Sequence, residues 1–126
     1  MSDFARSEGL PPLRCTASRP APHVCVAHLD GELDMATAPF LADYLRSETA
    51  MCPADLVLDL SRVTLLAAAG LALIIRALNN ECGIQGRLHL TGVTGNRPVE
   101  RVLRLTGLTS VLDVHDDLSS LLDALH

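Results

Sequence analysis

The sequence predicts a single α/β domain: a mixed, mostly parallel β-sheet of about five strands flanked by about four helices. Three observations predict it. Short β-rich runs recur along the chain: HVCVAHL at residues 23–29, LVLDL at 56–60 and RLHLT at 87–91. Between them lie longer segments with apolar residues three and four apart, such as Leu71, Ile74, Ile75 and Leu78, which mark one face of a helix. The two kinds of segment alternate, as they do when helices cross over between parallel strands. A chain of 126 residues, 48% of them apolar, can bury one core.

In order, residues 1–12 are polar and carry glycine and proline, and are expected to be a disordered tail before a domain spanning 13–126. Residues 13–18 form a first, edge strand, 19–22 (RPAP) a turn and 23–29 a second strand. The first two strands are joined by this short turn, so they pair antiparallel. Residues 30–34 (DGELD) break the second strand. A helix follows from Thr37, a good N-cap, with Pro39 tolerated in the first turn. Ala38, Leu41, Ala42 and Leu45 face inward, and Phe40 and Tyr44 share a neighbouring face. The run at 56–60 is the central strand, and the second helix turns Leu71, Ile74, Ile75, Leu78 and Cys82 inward. Gly83 and Gly86 close a turn before the strand at 87–91. Pro98 opens a third helix with Val99, Val102 and Leu103 inward and Gly107 as its stop. Residues 110–114 are the last strand. Asp116 and Asp117 suit the start of a final helix whose core face is Leu118, Leu121, Leu122 and Leu125.

Composition excludes several functions. Aromatic residues are 2% of the chain, so the core is aliphatic, and stacking platforms for nucleic acid are not expected. The formal net charge is −5 with no basic run, which argues against nucleic-acid and membrane partners. The apolar stretch 63–75 is shorter than the roughly 20 residues that span a bilayer. The first residues lack an apolar signal core. The four cysteines, Cys15, Cys25, Cys52 and Cys82, form no C-x-x-C pair, so a reducing cytoplasm and free thiols are expected, with Cys25 and Cys82 in the core.

The chain is organised around residues 55–82, where a buried strand feeds a helix through the small-residue turn Ala67-Ala68-Ala69-Gly70. Such a turn lies at the carboxyl edge of a sheet and at a helix N-terminus. Three segments there and nearby carry a family resemblance. Gly31-Glu32-Leu33-Asp34-Met35-Ala36-Thr37-Ala38-Pro39 resembles the G-E-L-D-x-A-T-A-P segment of STAS domains, which occur in anti-sigma factor antagonists and sulphate transporters. Residues 56–70 are similar to that family's strand and switch loop, L-V-L-D-L-S-x-V-x-F-x-D-S-S-G, and residues 98–108 to its third helix. The resemblance runs from about residue 13 to 126. It implies binding to an anti-sigma factor of the serine-kinase type, which in the family phosphorylates a serine at the start of the second helix and so breaks the complex. That serine aligns with Ala68 and the loop aspartate with Ala67. Alanine has no hydroxyl, so phosphorylation is not expected at Ala68; Ser61 and Thr64 are the nearby alternatives.

The resemblance places partner binding on Asp34, Thr37, Ala67, Ala68, Ala69, Gly70 and Leu71. The alternative is a non-switching scaffold, a homodimer built on the apolar turn, or a small-ligand binder. No enzyme is expected: Asp30, Glu32 and Asp34 read as a solvated turn and cap rather than as paired acids, and no G-x-S-x-G elbow occurs. The loop at 92–96 (GVTGN) lacks the Gly-Lys-Ser/Thr ending of a phosphate cradle. Arg97, Arg101 and Arg104 read as a solvated face, with an acidic partner as the sharper alternative. The five histidines and four cysteines show no ligand spacing on one element, so neither metal nor cofactor is expected.

Overall fold

A computed structural model describes residues 12–125. Five strands lie in spatial order β1 (Leu13–Ala21), β2 (Val24–Leu33), β3 (Asp55–Leu66), β4 (Arg87–Thr91) and β5 (Val114–His115). β1 pairs antiparallel with β2, and all other pairs are parallel. Four helices join or follow them: α1 (Ala38–Glu48), α2 (Ala68–Leu78), α3 (Arg97–Leu105) and α4 (Leu118–Ala124). This is the expected mixed, mostly parallel α/β sheet with its four helices.

Strand alternation sends successive side chains to opposite faces, and here it builds two unequal layers. One face carries Cys25, Ala27, Leu29, Leu56, Leu58 and Leu60 against Leu41 and Leu45 of α1, Leu73, Ile74 and Ala77 of α2, and Val99 and Leu103 of α3. The other carries Val24, Val26 and Val57 under Leu121 of α4, flanked by Leu118, Leu122 and Leu125. The rest of that second face is polar, with His28 on β2, Asp55 and Asp59 on β3, and His89 and Thr91 on β4.

Several local expectations are corrected. β1 runs on through Pro20 to Ala21, because its register shifts between Ser18 and Ala21. Proline is tolerated at such an irregularity in an edge strand. β2 does not break at 30–34 but continues to Leu33. Gly31, at φ +131°, lets the strand pass so close to Pro12 that an added Cβ would lie 2.1 Å from the Pro12 carbonyl oxygen, and that oxygen accepts the Glu32 N–H at 2.8 Å. The expected tail, residues 1–12, lies outside the described residues apart from Pro12. The inward face of α2 is Gly70, Leu73, Ile74 and Ala77, with Ile75 and Leu78 half-buried. The helix is apolar almost all round until Arg76, so spacing alone could not fix its rotation. Cys82 is exposed, beyond the end of α2 at φ +60°, while Cys25 is buried as expected. The stretch 110–114 is not a strand: a 3₁₀ turn covers Leu108–Ser110, and β5 starts only at Val114. The third helix ends as expected at Gly107, in the left-handed region at φ +75°. Asp117 caps α4 through its carboxylate, which accepts the Ser120 N–H at 2.7 Å.

Candidate functional site

The site begins where β2 and β3 end. These strands pair in parallel to their last residues, Leu33 beside Leu66, so the segments that follow them start next to each other. Ala67 is extended and its N–H donates to the Leu33 carbonyl at 2.8 Å, which stitches the α2 turn to the end of β2. Gly70 completes the junction. A Cβ there would lie 2.7 Å from Leu33 Cβ and 2.9 Å from Leu33 O. The first turn of α2 therefore rests directly on β2, and only a residue without a side chain fits.

Leaving Leu33, the chain makes a compact polar turn. Asp34 Oδ1 accepts the N–H groups of Ala36 and Thr37, each at 3.0 Å. The Thr37 hydroxyl donates to the Glu32 carbonyl at 2.7 Å and accepts the Asp34 N–H at 3.0 Å. Thr37 is the N-cap of α1, as expected, but its side chain makes no cap bond to the helix. Its hydroxyl is buried in the turn, where it accepts the Asp34 N–H in place of a helix N–H. Asp34 and Thr37 thus shape the turn from within.

Met35, Ala38 and Ala42 on one side, and Ala69, Ala72 and Leu73 on the other, line a groove of about 470 Å³ between α1 and α2. Of the residues predicted to bind a partner, Ala69 lines this groove, whereas Asp34, Thr37, Ala67, Ala68, Gly70 and Leu71 do not. Met35 is 81% exposed. Ala68 is exposed at the first position of α2, Ala67, Ala69 and Leu71 are half-buried, and Gly70 is buried. Leu65 is also exposed, while Leu66 fills the core. Asp43, Arg46 and Arg76 supply the groove's charge. The lining thus mixes small and apolar groups with these three charged side chains and the exposed thiol of Cys82.

The other sequence candidates are dispersed. Asp30 pairs with Arg14 at 3.0 Å, Glu32 is exposed and Asp34 is held in its turn, so no paired carboxylates face one another. The loop at 92–96 is anchored: Asn96 Nδ2 donates to the Leu60 and Val63 carbonyls at 2.7 and 3.0 Å, and Gly92 abuts the Ser61 backbone. Arg97, Arg101 and Arg104 are all exposed and make no ion pair among the described residues. Ser61 and Thr64 lie within β3, before the helix. The Ser61 hydroxyl donates to Asp59 Oδ1 at 2.8 Å, and the Thr64 hydroxyl to the Gly31 carbonyl at 3.3 Å.

The profile of the family described as "Mlab, STAS domain" matches residues 17–122. The chain belongs to the STAS domain family. Among solved structures, this STAS domain is similar to an anti-sigma factor antagonist from Mycobacterium paratuberculosis, at 27% identity and a TM-score of 0.76, covering 89% of this chain and 92% of that one. It also resembles the anti-sigma factor antagonist SpoIIAA in its unphosphorylated form, at 16% identity and a TM-score of 0.71 over 89% of this chain and 96% of that one. A variant of RsbS from Moorella thermoacetica aligns at 20% identity and a TM-score of 0.68, over 89% and 94% of the two chains. These last two likenesses concern the fold. No curated protein sequence matches the chain. No helix among the described residues of the STAS domain is long and apolar enough to cross a membrane.

Two features of this STAS domain escaped the sequence. Met35 and Ala72 line the groove, yet neither residue type is marked as a contact until α1 and α2 are packed side by side. The polar band on the second sheet face did leave a trace. His28, Asp59 and His89 each put a polar residue among the apolar ones of its own strand, at a position that alternation assigns to one face of that strand.

Proposed function

We propose that this STAS domain is an anti-sigma factor antagonist-like interaction module that binds an anti-sigma factor of the serine-kinase type and is not switched by phosphorylation at Ala68. The observation that carries this reading is the α1–α2 groove, which opens beside the exposed alanine turn and is lined by small, apolar and charged groups from two segments remote in sequence. The similarity to the Mycobacterium paratuberculosis antagonist supports it. Asp34 and Thr37 set the shape of one wall, Gly70 fixes the approach of the other, and Ala67, Ala68, Ala69 and Leu71 present the turn. On this reading the protein is a cytoplasmic binding module rather than an enzyme, needs no cofactor, and engages neither nucleic acid nor membrane. The absence of a hydroxyl at position 68 removes the acceptor that a kinase partner would modify, so the complex persists in ATP.

A second reading, a non-switching scaffold that pairs with its own copy or holds a small ligand, is favoured by one observation. Met35 and Phe40, 81% and 50% exposed, crown the start of α1 and offer apolar surface to any partner.

The test mixes the purified chain with the serine-kinase anti-sigma factors of its host, with and without ATP, and follows complex formation by gel filtration. A complex that forms and survives ATP, with no phosphate at residue 68 by mass spectrometry, is expected. Ala68→Asp sets a charge in the apolar contact, whose desolvation the interface cannot offset, and association is expected to be lost. Intact binding and intact self-association in Ala68→Asp would overturn the assignment of this turn as the interface. A complex released by a phosphate on Ser61 or Thr64 would show that the switch had moved rather than vanished.

A further inference from the structure

On the opposite sheet face from the groove, three elements converge on one cluster. His89, in the middle of β4, is 3% exposed. Its Nδ1 faces the Asp113 carboxylate, and its Nε2 lies 2.7 Å from Asp55 Oδ1 at the start of β3. His115, on β5, brings Nε2 to 3.0 Å from the same Asp113 oxygen. His89, Asp113 and His115 each offer one ligand atom, and these atoms lie within 4.8 Å of one another.

We propose that His89 Nδ1, His115 Nε2 and the Asp113 carboxylate form a binding site for a divalent transition-metal ion of the zinc class. Two imidazoles and one carboxylate are the borderline donor set that zinc takes, leaving a fourth position open. Asp55 gives the site what an accidental cluster lacks. A ligating histidine donates its other ring N–H to a carboxylate, which fixes the tautomer and the ring's orientation. Asp55 occupies that place on His89, and burial of the ring holds it there. A tetrahedral ion with bonds of about 2.0 Å sets its ligands roughly 3.3 Å apart. To reach that spacing the Asp113 oxygen must draw back from His115 Nε2, now at 3.0 Å, and further from His89 Nδ1, which lies closer still. The half-exposed Asp113 side chain is the ligand with room to make this movement.

Thr91 is an independent observation at the same place. It follows His89 by two residues on the same strand face and pairs in register with His115. It is 1% exposed, and its hydroxyl is the buried side-chain polar atom that lacks a hydrogen-bond partner among the described residues. Buried hydroxyls are otherwise almost always partnered. A water on the ion's open position is a partner of the kind it lacks. The site spans β3, β4 and the segment leading into β5, so an ion there would tie the short terminal strand to the sheet.

The experiment uses the full chain with any affinity tag removed, freed of metal with a chelator, and titrated with Zn²⁺ by calorimetry and with Co²⁺ by visible absorption. One ion per chain is expected, with the Co²⁺ bands of a low-coordinate nitrogen–oxygen site and an upward shift in Tm on adding Zn²⁺. His115→Ala removes a half-exposed ligand without opening the core and is expected to abolish the Co²⁺ bands and the Tm shift. Asp55→Asn keeps all three ligands and is expected to weaken binding about 10–100-fold. Cys52 and Cys82 are exposed thiols elsewhere on the surface, so the double variant Cys52→Ser, Cys82→Ser is expected to bind as the parent does. No stoichiometric binding by the parent chain would overturn the proposal. So would binding that survives His115→Ala but is lost in the cysteine variant.

Discussion

Gly70 has no room for a methyl group. In most helix interiors, Gly→Ala gains about 1 kcal/mol from reduced backbone entropy. Here the new Cβ would meet both the side chain and the carbonyl oxygen of Leu33 inside van der Waals contact, and the carbonyl belongs to a paired strand that cannot step aside. Overpacking of this kind costs about 1–3 kcal/mol, so the clash outweighs the propensity. Gly70→Ala is expected to lower stability, read as a lower urea midpoint with an unchanged m-value. Asp59 gives the second residue-scale prediction. Burial, the largest single influence, raises its carboxyl pKa. Hydrogen bonds from His28 Nδ1 at 2.8 Å and from the Ser61 hydroxyl and N–H, with the attraction of His28, outweigh it and hold the carboxyl below its ordinary range. A depressed carboxylate adds stability that is present above its unfolded value, near pH 4, and is lost as pH falls through the folded value. Asp59→Asn is therefore expected to be weaker than the parent at pH 7, by about 1–2 kcal/mol. It should also lose less stability than the parent between pH 5 and 3, measured by urea denaturation across that range.

At the scale of elements, α2 is both a core helix and the frame of the proposed interface, and the two roles meet at Leu73, which is buried in the core and lines the groove. Leu73, Ile74 and Ala77 hold it to the sheet, while Ala69 and Ala72 face the groove. Its first turn carries no acidic residue, and Ala68 is exposed there. A carboxylate near a helix N-terminus is stabilising by about 0.3–1 kcal/mol. Ala68→Asp is thus expected to leave the Tm of the isolated chain unchanged or raised by a few degrees, in a thermal scan followed by circular dichroism, even as it ends association. A large fall in Tm would mean that position 68 supports the fold and that lost binding reports unfolding. The α3 entrance is held differently. Asn96 stands at its N-cap without capping it and spends its side-chain amide on two carbonyls of β3. The loop before α3 is thereby committed to positioning the helix.

For the molecule as a whole, the sheet is the partition between a large core and a small one. Leu121 is the central side chain of the small core and fully buried, although α4 has only seven residues. Leu→Ala at such a site costs about 2–5 kcal/mol. Val26 and Val57, which it covers, lie on the strands whose alternate residues build the large core, so the loss is expected to propagate through the sheet. Tyr44, the single tyrosine, lies on α1 against the opposite face. In Leu121→Ala, unfolding followed by Tyr44 fluorescence and by far-ultraviolet circular dichroism should shift together and remain coincident, as one cooperative transition requires. Separation of the two curves would show that α4 and the large core unfold independently.

The sequence by itself determined the order of elements, the central place of β3, and the meeting of strand and helix at Ala67–Gly70. Each of these is written in local periodicity and in small residues at a turn, which depend on near neighbours along the chain. It also carried the STAS likeness, because the segments around Asp34, Ala68 and Pro98 keep their spacing. It could not determine the rotation of α2, whose apolar residues surround the helix and leave the choice of inward face to packing. Nor could it give the true end of β2, where the approach of Pro12 to Gly31 keeps the strand going. The groove and the assembly of the polar cluster belong to the tertiary structure. Met35 and Ala72 become one surface only when α1 lies beside α2. His89, Asp55, Asp113 and His115 become one cluster only when parallel pairing aligns β3, β4 and β5, because contacts between residues so far apart in sequence are set by register rather than by any local pattern.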